Sequence, residues 1–297
     1  MQLLVFVLAY PLLWIISRLP HRLFYAFSDF ICLIVYRLVG YRTKVVRNNL
    51  RLVFPEKPEA ELKSIEKKFY SHLCDTFLEM VKTMSISTEK IKKKYHVINP
   101  DMIHNIEKEK TVLVVCSHYA NWEWNVSINN YFCSNGYAVY QKIGNPYFDR
   151  WIRKIRSRWN TTLITQKQVV PTVVKNHKNG VRGIFGMVSD QSPQKHLAHY
   201  WTEFMGIKVP VVNGAEIMAR KMDLAVVFLK VSKVKRGFYD AKFTLITDSG
   251  SKTSKNEITD TFLRLTEQQI LERPEHYLWT HRRWKHRDKV PEKFKSE

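Results

Sequence analysis

From Pro58 to Thr83 the apolar residues Leu62, Ile65, Phe69, Leu73, Phe77, Met80 and Val81 recur at steps of three and four. That spacing predicts an amphipathic helix, with Glu59 and Glu61 at the positive end of its dipole. Beyond it, strand-like and helix-like stretches alternate. Short apolar runs at Thr111–Cys116, Tyr137–Ile143, Thr161–Thr165 and Gly183–Val188 predict strands. Helical patterns at Asn121–Asn135, Pro146–Trp159 and Val169–His177 lie between them. A helix at Val211–Met222 follows, then two longer strands, Ala225–Val231 and Tyr239–Ile246, joined as a hairpin through Lys233, Lys235, Arg236 and Gly237. A final helix is expected near Asn256–Arg273. This alternation predicts an α/β fold with a mostly parallel central sheet flanked by helices. Ligands of such sheets sit beyond the carboxyl ends of the strands.

The N-terminus has a different pattern. Met1 to Ile16 contains no charged residue, and a second apolar stretch, Leu23 to Val39, is broken only by Asp29 and Arg37. There is no basic region before the first run, so a secretory signal is not expected. Sixteen residues with Pro11 among them are short for a spanning helix. Residues 1–40 are therefore expected to form a membrane anchor, barely spanning or lying in the interface, with residues 41–297 as one α/β domain. Arg37, Arg42, Lys44, Arg47 and Arg51 would place that domain on the cytoplasmic side. The lesser alternative is a helical hairpin buried on a soluble body, which Asp29 and Pro11 suit.

Composition changes the picture mainly through charge. Lys and Arg number 48 against 27 Asp and Glu, a net charge of +21. That excess favours nucleic acid, an anionic membrane surface or an acidic partner. Four cysteines scattered without a C-x-x-C pair indicate neither a disulfide framework nor a zinc site.

The candidate chemistry lies at strand ends. In TVLVVCSHYANWEW a buried strand delivers His118, and Glu123 follows five positions later as a carboxylate able to orient the imidazole. The same spacing recurs at His96 with Asp101, in what reads as a loop, so context separates the two. Asp190-Gln191 ends another strand. There it is expected either to bind an acceptor or pair with an arginine, or to form a simple turn. The helix after Asn145-Pro146 is crowded with cations. Arg150, Arg153 and Lys154 read as a solvated face, and Arg156 and Arg158 as candidates to hold a phosphate or an oxyanion. Backbone N–H groups at Asn121, at the start of a helix, are a further oxyanion candidate. The run HYLWTHRRWKHR mixes aromatic and basic residues in a way that suits a phosphate-rich surface. Its histidines are spaced by five, which argues against a metal site.

Taken in order, these pieces resemble the lipid A late acyltransferases, the lauroyl/myristoyl transferases of the lysophospholipid acyltransferase superfamily. The pieces are the N-terminal anchor, YRLVGYRTKVVRNNLRLVFPE, H-x-x-N-W-E at His118 to Glu123, N-P-x-x-D at Asn145 to Asp149, Asp190-Gln191, Phe204-x-Gly206 with Pro210, and PEHYLWTHRRWKHR. The resemblance implies a glycerolipid-acyltransferase-like sheet, with His118 as general base and Glu123 as its orienting partner. It implies acyl-acyl carrier protein or another acyl thioester as donor, and a phosphorylated glycolipid acceptor at the cytoplasmic face of the inner membrane. It implies no cofactor and no nucleic acid. Ala120 stands where the family usually has Gly, and Asn160 stands at another common Gly position. Direct acyl transfer is expected, because no serine or cysteine is paired locally with the base. The nearest alternative is the same chemistry on another lipid acceptor, such as a lysophospholipid, an aminolipid or another glycolipid. A non-catalytic basic protein explains the charge but not a histidine and an aspartate at strand ends.

Overall fold

The computed structural model describes residues 1–194 and 198–294. Helices α1 (Gln2–Arg18) and α2 (His21–Cys32) open the chain, and α2 continues into π-helical turns at Leu33–Leu38. Then come α3 (Thr43–Val53), α4 (Glu59–Lys82), α5 (Thr88–Lys94), β1 (Tyr95–Val97) and α6 (Pro100–Glu107). Strand β2 (Val112–Cys116) is followed by a 3-10 segment, Trp122–Tyr131, then β3 (Asn135–Tyr140), α7 (Pro146–Arg156), β4 (Thr161–Thr165), α8 (Gln166–Lys178) and β5 (Gly183–Val188). The chain ends with β6 (Tyr200–Phe204), β7 (Ile207–Val211), α9 (Gly214–Met222), β8 (Ala225–Lys235), β9 (Phe238–Thr247) and α10 (Glu257–Glu272), followed by short 3-10 turns.

Seven strands form one sheet in the order β1-β9-β8-β2-β5-β3-β4, and every neighbouring pair except β8–β9 is parallel. The expected α/β architecture is therefore present, and β8–β9 is the expected antiparallel hairpin. Central β2 is buried along its whole length, as an unbroken Val/Leu run flanked by parallel strands on both edges requires. From β2 the chain moves outward to β3 and β4, then returns to place β5 between β2 and β3. It later crosses to β8 on the other edge of β2, so the order reverses beside β2 and opens a crevice at its carboxyl end.

Three local expectations change. Residues after Asn121 form a tight 3-10 segment rather than an α-helix. His96 lies on edge strand β1, exposed and 3.4 Å from Asp240, not in a loop beside Asp101. A separate two-stranded hairpin, β6–β7, precedes α9 where no strand was expected.

The N-terminal helices pack on the body. Phe6, Leu13 and Ile16 of α1 meet Val81 of α4 and Trp151, Ile152 and Ile155 of α7. Leu4, Leu8, Leu12 and Ile15, at steps of four and three, form an opposite stripe that is 53–65% exposed. Helix α2 buries Phe24, Tyr25 and Ser28, while its Asp29 pairs with Arg236 at 2.6 Å. Among the described residues no single helix is long and apolar enough to cross a membrane.

Candidate active site

Parallel pairing of β2 with β5 brings the two central residues together. The register sets Cys116 opposite Val188, and Ser189 donates its N–H to the Cys116 carbonyl at 3.0 Å. His118 and Asp190, each two positions further on, then lie side by side. His118 Nδ1 is 2.7 Å from Asp190 Oδ1. Asp190 is 1% exposed. Burial opposes its charge, but His118 and main-chain N–H groups outweigh that and hold the carboxyl below its usual range. An ionised carboxylate only accepts, so Nδ1 carries the proton and Nε2 presents its lone pair. Gln191 Nε2 lies 3.3 Å from His118 Nε2 and donates to it. Tyr277 is buried beside Asp190, and burial followed by that charge pushes its hydroxyl well above the ordinary range.

A C-terminal strap fixes the main chain here. Leu278 N–H donates to the His118 carbonyl at 3.1 Å, and Ala120 N–H donates to the His276 carbonyl at 3.0 Å. Tyr119 bridges Tyr277 in antiparallel fashion. Ala120 has φ 49°, a left-handed conformation costing a side-chain-bearing residue about 1–2 kcal/mol. His72 Nε2, at 3.1 Å, and Thr76 Oγ1, at 3.5 Å, donate to its carbonyl, so the conformation is held from both ends. Asn160, at the other usual glycine position, has φ 54°.

Glu123 does not orient His118. Arg156 holds it in a fork, with Nη2 at 2.7 Å from both carboxylate oxygens and Nε at 3.1 Å from Oε2. Trp122 Nε1 donates to Glu123 Oε1 at 3.2 Å, and the Trp122 ring packs edge-on to His118 at 5.7 Å. The tight turn at Trp122 carries the Glu123 carboxylate toward α7, whereas β5 places Asp190 directly against the imidazole.

Two other candidates make contacts of their own. The Arg158 guanidinium donates to the Thr83 and Ile86 carbonyls, and burial lowers its pKa. It is a tie between α7 and the end of α4, not an anion site. The Asn121 side chain is fully buried, donating to Glu79 Oε2 at 2.6 Å and accepting from Trp124 N–H at 3.0 Å. This side chain caps the 3-10 segment, and the oxyanion expectation rests instead on the main-chain N–H groups at its start. Arg150, Arg153 and Lys154 are exposed, as a solvated face requires.

The aromatic–basic run near the C-terminus is divided: its Tyr and Trp rings and Arg283 are core, while Arg282, Lys285 and Arg287 are exposed. Tyr277, Trp279, Arg283 and Trp284 are at most 2% exposed, with Phe204, Trp284 and Trp279 stacked at 5.9 Å spacings. Rings and guanidinium stems bury as readily as they bind phosphate, so composition alone does not separate the two. Arg283 donates to the Pro210 carbonyl at 3.0 Å and lies over the Phe204 ring. His281 Nε2 accepts Ser192 N–H at 3.2 Å, and burial lowers its pKa to about 4. Sequence reasoning missed His72, Glu79, Tyr277 and His281. The first two had a signal: His72, Asp75, Thr76 and Glu79 recur at helical spacing on a second face of α4, and all four are buried.

The arrangement can perform general-base chemistry: an imidazole whose Nδ1 faces a buried carboxylate, at the mouth of the sheet, near an arginine–carboxylate pair. Among the described residues no group of three or more His, Cys, Asp or Glu side chains is arranged to hold a metal ion.

Residues 2–286 match the family described as bacterial lipid A biosynthesis acyltransferase. The lipid A biosynthesis palmitoleoyltransferase of Escherichia coli K12 is 23% identical over 288 residues, covering 93% of this chain and 89% of that protein. The lipid A biosynthesis lauroyltransferase of the same strain is 23% identical over 287 residues, covering 95% and 92%. A lipid A biosynthesis acyltransferase of Shigella flexneri is also 23% identical, with 93% and 89% covered.

Proposed function

The chain belongs to the bacterial lipid A biosynthesis acyltransferase family, and we propose that it moves a fatty acyl chain from an acyl thioester to a hydroxyl of a lipid A precursor with His118 as general base. The observation that carries this reading is the His118–Asp190 contact at the ends of adjacent parallel strands. His118 Nε2 takes the acceptor hydroxyl proton as the oxygen attacks the thioester carbonyl. A C–O bond forms, the C–S bond breaks, and the imidazolium returns its proton to the leaving thiolate. Asp190 stabilises the imidazolium between those steps, within the ~10²–10⁴-fold usual for positioned acid–base catalysis. Arg156 offsets the charge that develops on the carbonyl oxygen, through the Nη1 group that the fork to Glu123 leaves over. Glu123 therefore positions Arg156, not the base. No covalent acyl-enzyme is required: the nearby thiol, Cys116, is buried, and burial pushes its pKa up to about 12.

The donor is an acyl carrier protein, an acidic partner drawn to a chain of net charge +21. The acceptor is a phosphorylated glycolipid at the cytoplasmic face of the inner membrane. The exposed stripe of α1 lies in the interface of that membrane, with the basic cluster from Arg37 to Arg51 beside anionic headgroups. The test is intact-mass analysis of a lipid A precursor incubated with acylated carrier protein and the purified chain. A gain of one acyl chain supports the reading, and an unchanged mass opposes it.

A further inference from the structure

Helix α4 runs behind the segment that presents His118, and it turns a buried polar stripe toward that segment. Glu79 lies at its centre, wholly removed from solvent. Its Oε2 accepts from Asn121 Nδ2 at 2.6 Å and from the Tyr239 hydroxyl at 2.8 Å, and its Oε1 accepts from the Tyr25 hydroxyl at 2.5 Å. Its main-chain carbonyl accepts from Trp124 Nε1 at 2.9 Å. Thus one residue of α4 grips both Asn121 and Trp124, while α2 and β9 hold its carboxyl from the far side. Seven positions earlier on the same helix face, His72 grips the Ala120 carbonyl, and its Nδ1 accepts from Lys233 Nζ at 3.3 Å.

Burying a carboxyl is costly, and an apolar side chain would fill the same space without that cost. What offsets it here is three donors, one of which belongs to the segment between His118 and Glu123. Asn121 has no freedom left: its amide donates to Glu79 and its carbonyl caps Trp124. We propose that Glu79 is the positioning residue of this segment, fixing Asn121 and Trp124 from inside α4 and so setting where His118 stands. The assignment rests on the reading of His118 as the base. Glu79 touches no substrate and acts through the main chain of the segment.

The test is steady-state kinetics of the purified full chain, with acylated acyl carrier protein and a lipid A precursor lacking one acyl chain. Glu79→Ala should lower kcat about 10- to 100-fold, since a displacement on the order of 1 Å costs up to about 10², with KM unchanged within about 3-fold. Glu79→Gln should restore kcat to within about 3-fold of wild type, because its oxygen accepts from Asn121 and Tyr239 and its amide donates to the Tyr25 hydroxyl. Tyr25→Phe removes a bond on the far side of Glu79. It should lower Tm and leave kcat unchanged. If Glu79→Ala does not fold, Asn121→Ser serves: serine keeps the cap on Trp124 but cannot reach Glu79, so kcat should fall as for the alanine variant. Wild-type kcat in a folded Glu79→Ala or Asn121→Ser protein overturns the proposal. So does a loss of kcat that tracks Tm through all the variants, Tyr25→Phe included. An inactive wild-type chain would instead remove the acyl-transfer reading on which the proposal stands.

Discussion

Replacing Asp190 by Asn alters one oxygen and should remove most of the activity. The Asn amide would donate to His118 Nδ1 across the present 2.7 Å contact, which makes Nδ1 an acceptor and puts the proton on Nε2. The nitrogen that must take the hydroxyl proton would then already carry one. The charge term points the same way. With charge centres about 4 Å apart at an effective dielectric of ~20, Asp190 stabilises the imidazolium by about 4 kcal/mol. At 1.36 kcal/mol per decade that is roughly 10³ in kcat. The assay is the initial rate of acyl transfer by Asp190→Asn and Glu123→Gln under saturating donor and acceptor. Asp190→Asn should lose about 10²–10⁴-fold in kcat, with KM within about 3-fold. Glu123→Gln keeps an oxygen for Arg156 and leaves the His118 tautomer alone, so its loss should be about 10-fold or less. A mild Asp190→Asn beside a severe Glu123→Gln would refute the reasoning and return the orienting role to Glu123.

Two further outcomes follow from the structure. Arg158→Ala removes two charge-assisted bonds to the Thr83 and Ile86 carbonyls and should cost about 2–3 kcal/mol of stability with kcat unchanged per folded molecule. Urea unfolding paired with kinetics checks it, and a fully stable variant that has lost kcat would restore Arg158 as an anion site. The second concerns acid. Burial lowers the pKa of His72 well below 6.5, that of His276 to about 3 and that of His281 to about 4. The unfolded chain takes up these protons near pH 6.5 and the folded chain does not. Stability is therefore full above that pH and declines as pH falls toward 4. At pH 5 His276 and His281 each account for a loss of roughly 2 kcal/mol, an upper figure because both keep some exposure, and His72 acts in the same direction. Glu79 runs the other way, because burial raises its carboxyl to about 7 and the folded state holds that proton from about pH 7 down to 4.5. Three groups outweigh one, so Tm should fall steadily below about pH 6. A Tm constant from pH 7 to 4.5 would refute this.

How much was legible in the sequence depended on whether a feature is local. The apolar runs of β2 and β5 are local, and each predicts a strand of the sheet, with His118 and Asp190 just past their ends. Their pairing is not local. It needs β5 to return beside β2, and periodicity carries no strand order. Glu123 was attractive because it was near in sequence, yet a single tight turn at Trp122 sends it to Arg156 instead. In α4 the apolar stripe hid a second, polar stripe, because a helix buried on two faces still shows the expected period on one of them. In the C-terminal run, composition predicts a surface, whereas strand-like pairing with His118 to Ala120 and stacking on Phe204 draw its rings and Arg283 into the core and leave Arg282, Lys285 and Arg287 exposed.

The most direct test of the central claim is to watch the reaction itself. Purified wild-type chain and His118→Ala are incubated in parallel with acylated carrier protein and a lipid A precursor lacking one chain, and the lipid is read by intact mass. The expected result is a mass increase of one acyl group on a hydroxyl with wild type and no increase with His118→Ala, while both proteins melt alike. An acylated product from His118→Ala at the wild-type rate, or none from wild type, would contradict it.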